Sequence, residues 1–174
     1  FKVYFSPNIL TKQFVEVQYI GEHLLPGQIG NFFVVLSFIA SLLAFFSYYA
    51  ASKQELPDNS WRKIARAAFG LHAAAVLGIV VTLFYLIFKH YFEYQYVWQH
   101  SSKSLPVRYM LSCFWEGQEG SFLLWSFWHA FLGLILMRWA KSWEAPVMTI
   151  FSSVQVFLGS MLLGIFIFDY RLGS

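Results

Sequence analysis

The stretch "IGNFFVVLSFIASLLAFFSYYAAS", residues 29–52, decides the fold class because it runs without a charged side chain. A helix that crosses a bilayer needs about 20 mostly apolar residues, and this run is long enough. Three further runs qualify, at residues 64–88, 121–139 and 147–168. We therefore predict an all-α, polytopic membrane protein with four transmembrane helices.

The composition of the 174-residue chain agrees with a membrane setting. Hydrophobic residues make up 58% and charged residues 12%, whereas an ordinary soluble domain is about 25% charged. The net charge of +3 is mild and the cationic side chains do not cluster, so we predict membrane lipid and no nucleic acid as surroundings.

The single cysteine, Cys113, excludes an internal disulfide and a Cys-rich metal site. There is no C-x-x-C-H sequence for covalent haem attachment, and no metal site is predicted. The chain begins at Phe1 without an initiator Met, and we expect it to be a processed or partial chain.

The distribution of cationic residues predicts the orientation in the membrane. The two short connections are dense in Lys and Arg, whereas the long connection, residues 89–120, has few for its length. Cytoplasmic connections are enriched in these residues, so we place the short ones inside and the long one outside. The predicted division is an outer segment, residues 1–25, and a membrane domain, residues 26–174. The cationic residues of the short connections and their flanks are Lys53, Arg62, Lys63, Arg66, Arg138 and Lys141.

The long outer connection contains "SLPVRYMLSCFWEG", residues 104–117, whose apolar residues follow helical spacing. This pattern predicts a short amphipathic helix that lies at the interface, with Arg108 and Ser112 facing water. The apolar positions are Val107, Met110, Leu111, Phe114 and Trp115.

The stretch "SCFWEGQEGSFLLW", residues 112–125, joins this helix to the third span and has two interpretations. It is either a binding site or a capped helix entry. In the second case Gly117 and Gly120 allow a tight turn, Ser121 caps the helix, and Glu119 faces the positive end of its dipole. No Ser–His–Asp signature, phosphate-binding loop or paired-metal spacing is present.

The histidines are the remaining candidates. His72 and His129 lie within predicted spans, where an ionisable residue is a functional candidate by default. We predict that each hydrogen-bonds a neighbouring helix, and that they do not share one haem because their depths differ. His90 and His100 are weak ligand candidates among the aromatic residues of the outer connection, and His23 precedes the first span.

Two stretches carry a family resemblance. "PGQIGNF", residues 26–32, resembles the opening of CcmF-type haem lyases, the large membrane subunit of bacterial cytochrome c maturation. "YVWQHSSKSLPVRYMLSCFWEGQEGSFLLW", residues 96–125, is similar to that family's long outer stretch, which ends in W-G-G-H-E-G-S-L-L-L-W. The chain departs from the family at Gln118, where the family usually has His, and at Glu116, where it has Gly.

The resemblance implies a component of a cytochrome c haem lyase that supplies scaffold and an outer surface facing haem and apocytochrome. It also implies haem in the full assembly. The implied location is the bacterial inner membrane, with the N-terminus and the 89–120 connection on the periplasmic side. The implied partners are a periplasmic haem chaperone, apocytochrome c and other maturation subunits. The implied haem-side positions are Trp115, Gly117, Gln118, Glu119, Gly120, Ser121 and Trp125. No histidine matches a family haem ligand, so the catalytic residues are expected outside this chain. The alternatives are a channel or transporter subunit, and a structural subunit of a respiratory complex.

The orientation can be tested by thiol labelling of intact cells. A cysteine introduced at Asn59 should resist an impermeant thiol reagent, because we place this connection in the cytoplasm. A cysteine introduced at Ser102 should react, and the parent protein gives the background from Cys113. The reverse labelling pattern would invert the topology.

Overall fold

A computed structural model of the protein describes residues 23–53, 59–100 and 107–172. Within these ranges the regular secondary structure is helical and contains no strand, which confirms the all-α prediction. The helices are α1 Leu24–Lys53, α2 Asn59–Phe88, α3 Gln95–His100, α4 Val107–Glu116, α5 Gln118–Trp139 and α6 Glu144–Leu172, with a short 3₁₀ turn at Lys141–Trp143 before α6.

The four long helices, α1, α2, α5 and α6, are each long and apolar enough to cross a membrane, as predicted. Every one of them begins before its predicted span, because the first turn of a helix can contain residues that interrupt a hydrophobic run. In α1 this first turn includes Pro26, where a missing N–H has no intrahelical partner to lose. Residues 1–22 lie outside the described residues, so the division at residue 25 stays a prediction.

The spanning helices form a ring in which α1 packs against α2 and α6, and α5 packs against the same two helices. Short connections place consecutive helices side by side in antiparallel pairs. The buried face of α1 consists mostly of small side chains, which let helix backbones approach closely within a membrane. These residues are Gly27, Gly30, Ser37, Ala40, Ser41, Ala44 and Ser47, with Tyr48 at the end.

The outer connection folds back onto one end of this ring. The structure has the predicted helix, α4, and its Phe114 ring stacks on Phe84 of α2 with centroids 4.6 Å apart. The short helix α3 was not predicted, and its Tyr96 and Val97 are buried in the same apolar cluster as Phe114 and Leu123 of α5. The position of α4 at a membrane interface stays a prediction.

An ion pair closes the opposite end of the ring. The guanidinium of Arg66, on α2, donates from Nε and Nη2 to the two carboxylate oxygens of Glu144, each at 2.6 Å. Glu144 lies in the first turn of α6 and is 1% exposed, and the buried Tyr48 hydroxyl of α1 lies 3.5 Å from its Oε1. Three spanning helices therefore meet at one buried carboxylate.

This network predicts that Arg66→Met destabilises the protein by about 3 kcal/mol, because a buried carboxylate would lose its counter-charge. The value is at the low end for buried pairs because the Arg66 side chain is 52% exposed. The free energy of unfolding of the purified full-length protein in detergent measures the effect.

Lys63→Met is the matched control, since Lys63 is an exposed cation of the same helix and its loss should change the unfolding free energy by about 0.5 kcal/mol or less. Replacing both Arg66 and Glu144 by Met should recover part of the loss. An Arg66→Met variant as stable as the control would contradict this role.

Candidate functional site

Tyr94 anchors the beginning of α1, where the first family-like stretch lies. Its buried hydroxyl donates a hydrogen bond to the backbone carbonyl of His23 and accepts one from the N–H of Gly27 at 3.0 Å. A Cβ atom at Gly27 would lie 2.7 Å from the Tyr94 ring, so a larger residue would displace that ring from its present position. The stretch at residues 26–32 is therefore held directly by the outer connection.

Tyr96, two residues along the chain, anchors the second family-like stretch. Its hydroxyl donates to the carbonyl oxygen of Phe114 at 2.7 Å and lies 3.1 Å from that of Cys113. Both carbonyls belong to the last turn of α4, where backbone oxygens lack an intrahelical partner. A buried side chain thus satisfies the end of α4.

The junction between α4 and α5 differs from the predicted capped turn. Only Gly117 separates the two helices, and its φ of −87° and ψ of 163° are values that any residue adopts. The N–H of Ser121 donates to the Gly117 carbonyl at 3.1 Å, and Gly117, which holds the cap position, makes no side-chain cap. The prediction that Ser121 caps α5 was wrong, because α5 begins three residues earlier, at Gln118.

Gly120 is required for space and not for backbone freedom. It lies within α5, and a Cβ atom there would overlap the carbonyl oxygen of Phe114 and the hydroxyl of Tyr96. The expected tight turn at Gly117 and Gly120 is therefore replaced by a close contact of two helices. Both glycines are buried, so they shape the outer end without forming its surface.

Three of the predicted surface positions at the junction are exposed or half-buried. Gln118 is exposed, Trp125 is 61% exposed and Ser121 is half-buried. The side chains of Trp115 and Glu119 lie outside the described residues. Two exposed residues near the same stretch, Glu116 and Trp98, were not among the predicted surface positions. Their exposure follows from how α3 and α4 pack, which no local pattern specifies.

Of the two outer histidines predicted as ligand candidates, His90 is described in full and lies apart from the groove at this end. His90 has a φ of 53°, its ring stacks on Phe92, and its buried Nδ1 has no partner among the described residues. The side chain of His100 lies outside the described residues. His90 is not among the residues that line the groove of about 710 Å³ between the beginning of α1 and the end of α2.

His23 is the histidine that lines this groove. Its ring stacks on Tyr91 with centroids 4.4 Å apart, and its Nδ1 lies 3.3 Å from Oε1 of Glu93. The remaining lining is mostly apolar, comprising Leu24, Leu25, Pro26, Ile29, Val81, Thr82 and Tyr85. One sequence signal could have indicated that His23 lines a groove, namely its proximity to the family-like stretch at residues 26–32.

The described residues do not bring together a cluster of metal ligands. Among the residues within 23–53, 59–100 and 107–172, no group of three or more His, Cys, Asp or Glu could hold a metal ion. The groove offers one histidine, whose ring nitrogen already faces a carboxylate, and so supplies no pair of axial ligands. We therefore assign no step of haem chemistry to these residues.

Cys113 is not placed for nucleophilic chemistry. Burial, with a smaller contribution from Glu116, raises the pKa of the Cys113 thiol above its ordinary value. The thiol lies 3.4 Å from the carbonyl oxygen of Tyr109, to which it donates. Because the thiolate is the reactive form, this cysteine is a structural residue of α4.

The two histidines within the membrane helices behave differently. His72 makes the predicted bond between helices, with Nδ1 3.0 Å from the carbonyl oxygen of Ser37 on α1. His129 stacks instead on Phe151 of α6, with centroids 4.2 Å apart, and its Nδ1 has no hydrogen-bond partner among the described residues. The predicted hydrogen bond of His129 was wrong, because an aromatic ring occupies the facing position.

We predict that Gly120→Ala prevents normal assembly, because the added methyl group would overlap backbone at the end of α4. Gly70→Ala is the control, since a Cβ atom there meets nothing within 4 Å. The amount of folded protein in membranes, measured by immunoblot and limited proteolysis, should fall for Gly120→Ala alone. Equal amounts of the two variants would rule out a close contact at Gly120.

No family model matches this chain. The cytochrome c-type biogenesis protein CcmF of Haemophilus influenzae is 36% identical over 100 residues, which cover 56% of this chain and 15% of that protein. A solved structure of the cytochrome c heme lyase CcmF superposes with a TM-score of 0.73 at 26% identity, covering 86% of this chain and 25% of the other. The chain thus spans a quarter or less of these relatives, and both comparisons confirm that it resembles part of a CcmF-type protein of cytochrome c maturation.

Proposed function

We propose that this chain acts in cytochrome c biogenesis as part of a haem lyase, and that its outer end is a surface facing haem and apocytochrome. The observation that carries the proposal is the pair Tyr94 and Tyr96. Through these two hydroxyls, one short segment holds both stretches that resemble the CcmF family. The two stretches therefore belong to one structural unit at one end of the helix ring.

This unit is suited to presenting a fixed surface. The Tyr96 hydroxyl, the Phe114 carbonyl and Gly120 are in direct contact, and the Phe84–Phe114 stack supports them from α2. A surface whose supports are packed and hydrogen-bonded loses little entropy when it binds a ligand. Scaffolding of this kind needs no catalytic residue in the chain itself.

The side chains that project from the unit suit a flat, largely apolar molecule. The exposed indole of Trp125 offers a large amphipathic ring, and the nearby Gln118 amide both donates and accepts hydrogen bonds. Where the family usually has His, Gln118 cannot ligate iron or carry a proton. In this chain the position therefore serves hydrogen bonding and orientation.

The proposal includes the surroundings of the chain. It places the protein in a bacterial inner membrane, with this end in the periplasm, where a haem chaperone, apocytochrome c and other maturation subunits would reach it. The density of Lys and Arg at the opposite end supports that orientation. A transport function is less well supported, since transporters bind substrate at broken helices and each described spanning helix is continuous.

We predict that Trp125→Leu lowers the yield of mature c-type cytochrome severalfold while the protein remains normally inserted. Replacing the indole removes aromatic surface from the outer end without changing the buried junction. The assay is complementation of a strain lacking the full-length protein, with covalent haem staining normalised to the amount of protein in the membrane.

Trp143→Leu is the matched control, because Trp143 is equally a surface tryptophan, 72% exposed, at the opposite end of the ring. It should leave the cytochrome yield unchanged. If both variants lowered the yield alike, the effect would be general to exposed tryptophans and the outer-surface proposal would fail.

A further inference from the structure

The groove between the beginning of α1 and the end of α2 is large enough to hold part of a small molecule. Its volume of about 710 Å³ falls within the range of about 300–1,000 Å³ that ligand sites have. The side chains of Leu25, Ile29 and Val81 line the groove and are exposed. No described part of the chain covers them, so the groove is open to a ligand.

The groove lies where the membrane changes from hydrocarbon to headgroups. Helices α1 and α2 have 30 residues each, or about 45 Å at 1.5 Å per residue, whereas the hydrocarbon core is about 30 Å thick. The helix ends therefore project into the headgroup region. From Val81, which lines the groove, to Phe88, where α2 ends, the helix rises about 10 Å. A ligand of the groove therefore has one part in hydrocarbon and another among polar groups.

The apolar lining continues along both helices toward the middle of the membrane. On α1, the exposed side chains of Leu25, Ile29 and Phe32 share one face, because they follow helical spacing. On α2, the exposed Leu77 lies one turn from Val81 in the same direction. A lipid chain can therefore reach the groove sideways from the bilayer, without crossing the headgroup region.

The polar end of the groove is suited to a headgroup with a cationic part. His23 lines the groove, and its Nδ1 lies 3.3 Å from Oε1 of the partly exposed Glu93 carboxylate. Next to a low-dielectric groove, this carboxylate attracts an ammonium group and repels a headgroup of net negative charge. Tyr85 and Tyr91 also line the groove, and the faces of tyrosine rings attract ammonium groups.

We propose that the groove binds one phospholipid with an ethanolamine headgroup, whose acyl chain lies against Leu25, Ile29 and Val81. The ammonium group lies toward Glu93 and Tyr85, and the phosphate lies outside the groove among the headgroups of the bilayer. A phospholipid with a glycerol headgroup lacks the ammonium group and keeps a net negative charge, so it binds more weakly. This lipid site does not depend on the proposed role in cytochrome c maturation.

Native mass spectrometry of the full-length protein, purified in a mild detergent and washed to remove loosely held lipid, tests the site. The parent protein should retain one phosphatidylethanolamine. Val81→Phe should lower the retained amount at least fivefold, because the larger side chain fills the groove. Leu77→Phe is the matched control, since Leu77 is an exposed residue of the same helix that does not line the groove. The proposal would be overturned if the parent retained no lipid, as it would if another part of the full-length protein covered the groove, or if both variants retained the same amount.

The headgroup is tested by returning lipids to the washed protein. We expect the parent to bind phosphatidylethanolamine about threefold more tightly than phosphatidylglycerol, the size of effect that one partly exposed charge contributes. Glu93→Gln should remove this preference without preventing binding, because an amide oxygen can still accept the hydrogen bond that the N–H of His23 donates at 2.8 Å. Glu116→Gln, at an exposed position of α4 outside the groove, is the control and should keep the preference. Equal affinity of the parent for both lipids, or an unchanged preference in Glu93→Gln, would contradict the proposal.

Discussion

The contact of Gly120 with the Phe114 carbonyl and the Tyr96 hydroxyl constrains the whole outer end of the protein. With one residue between α4 and α5, the end of α4 must lie against the first turn of α5. Only a residue without a Cβ atom allows this approach, and only a donor from elsewhere satisfies the last carbonyls of α4. Tyr96 meets that need, which fixes the position of α3, and Tyr94 then falls where it can bond the beginning of α1.

The two ends of the ring are stabilised by different kinds of interaction. The outer end uses neutral hydrogen bonds from tyrosine hydroxyls, whereas the opposite end uses the bidentate pair of Arg66 and Glu144. Arg66 also belongs to the group of cations at that end, with Lys63 and Lys141, whose density predicts the orientation.

The features predictable from sequence were those set by local pattern. The four spans follow from hydropathy, and α4 follows from apolar residues at helical spacing. The role of Gly120 could not be predicted, because the atoms that exclude a side chain include the hydroxyl of Tyr96, which is distant in sequence. The prediction that Ser121 caps α5 was wrong for a related reason. Residues 118–120 are too polar to be counted in a hydrophobic span, but packing allows them to form the first turn of the helix.

Local sequence was also a poor guide to the histidines. One of them, His23, connects the groove with the junction of α4 and α5. Composition favoured His90 and His100 because aromatic residues surround them in sequence, yet His23 lines the groove through its stack on Tyr91 and its contact with Glu93. The backbone carbonyl of His23 accepts the hydrogen bond of Tyr94. Tyr94 lies two residues from Tyr96, so a shift of the groove wall at His23 would act on the segment that supports Gly120. The groove and the family-like junction are therefore structurally coupled through residues 94–96. Hydropathy alone would have assigned this short segment to a loop.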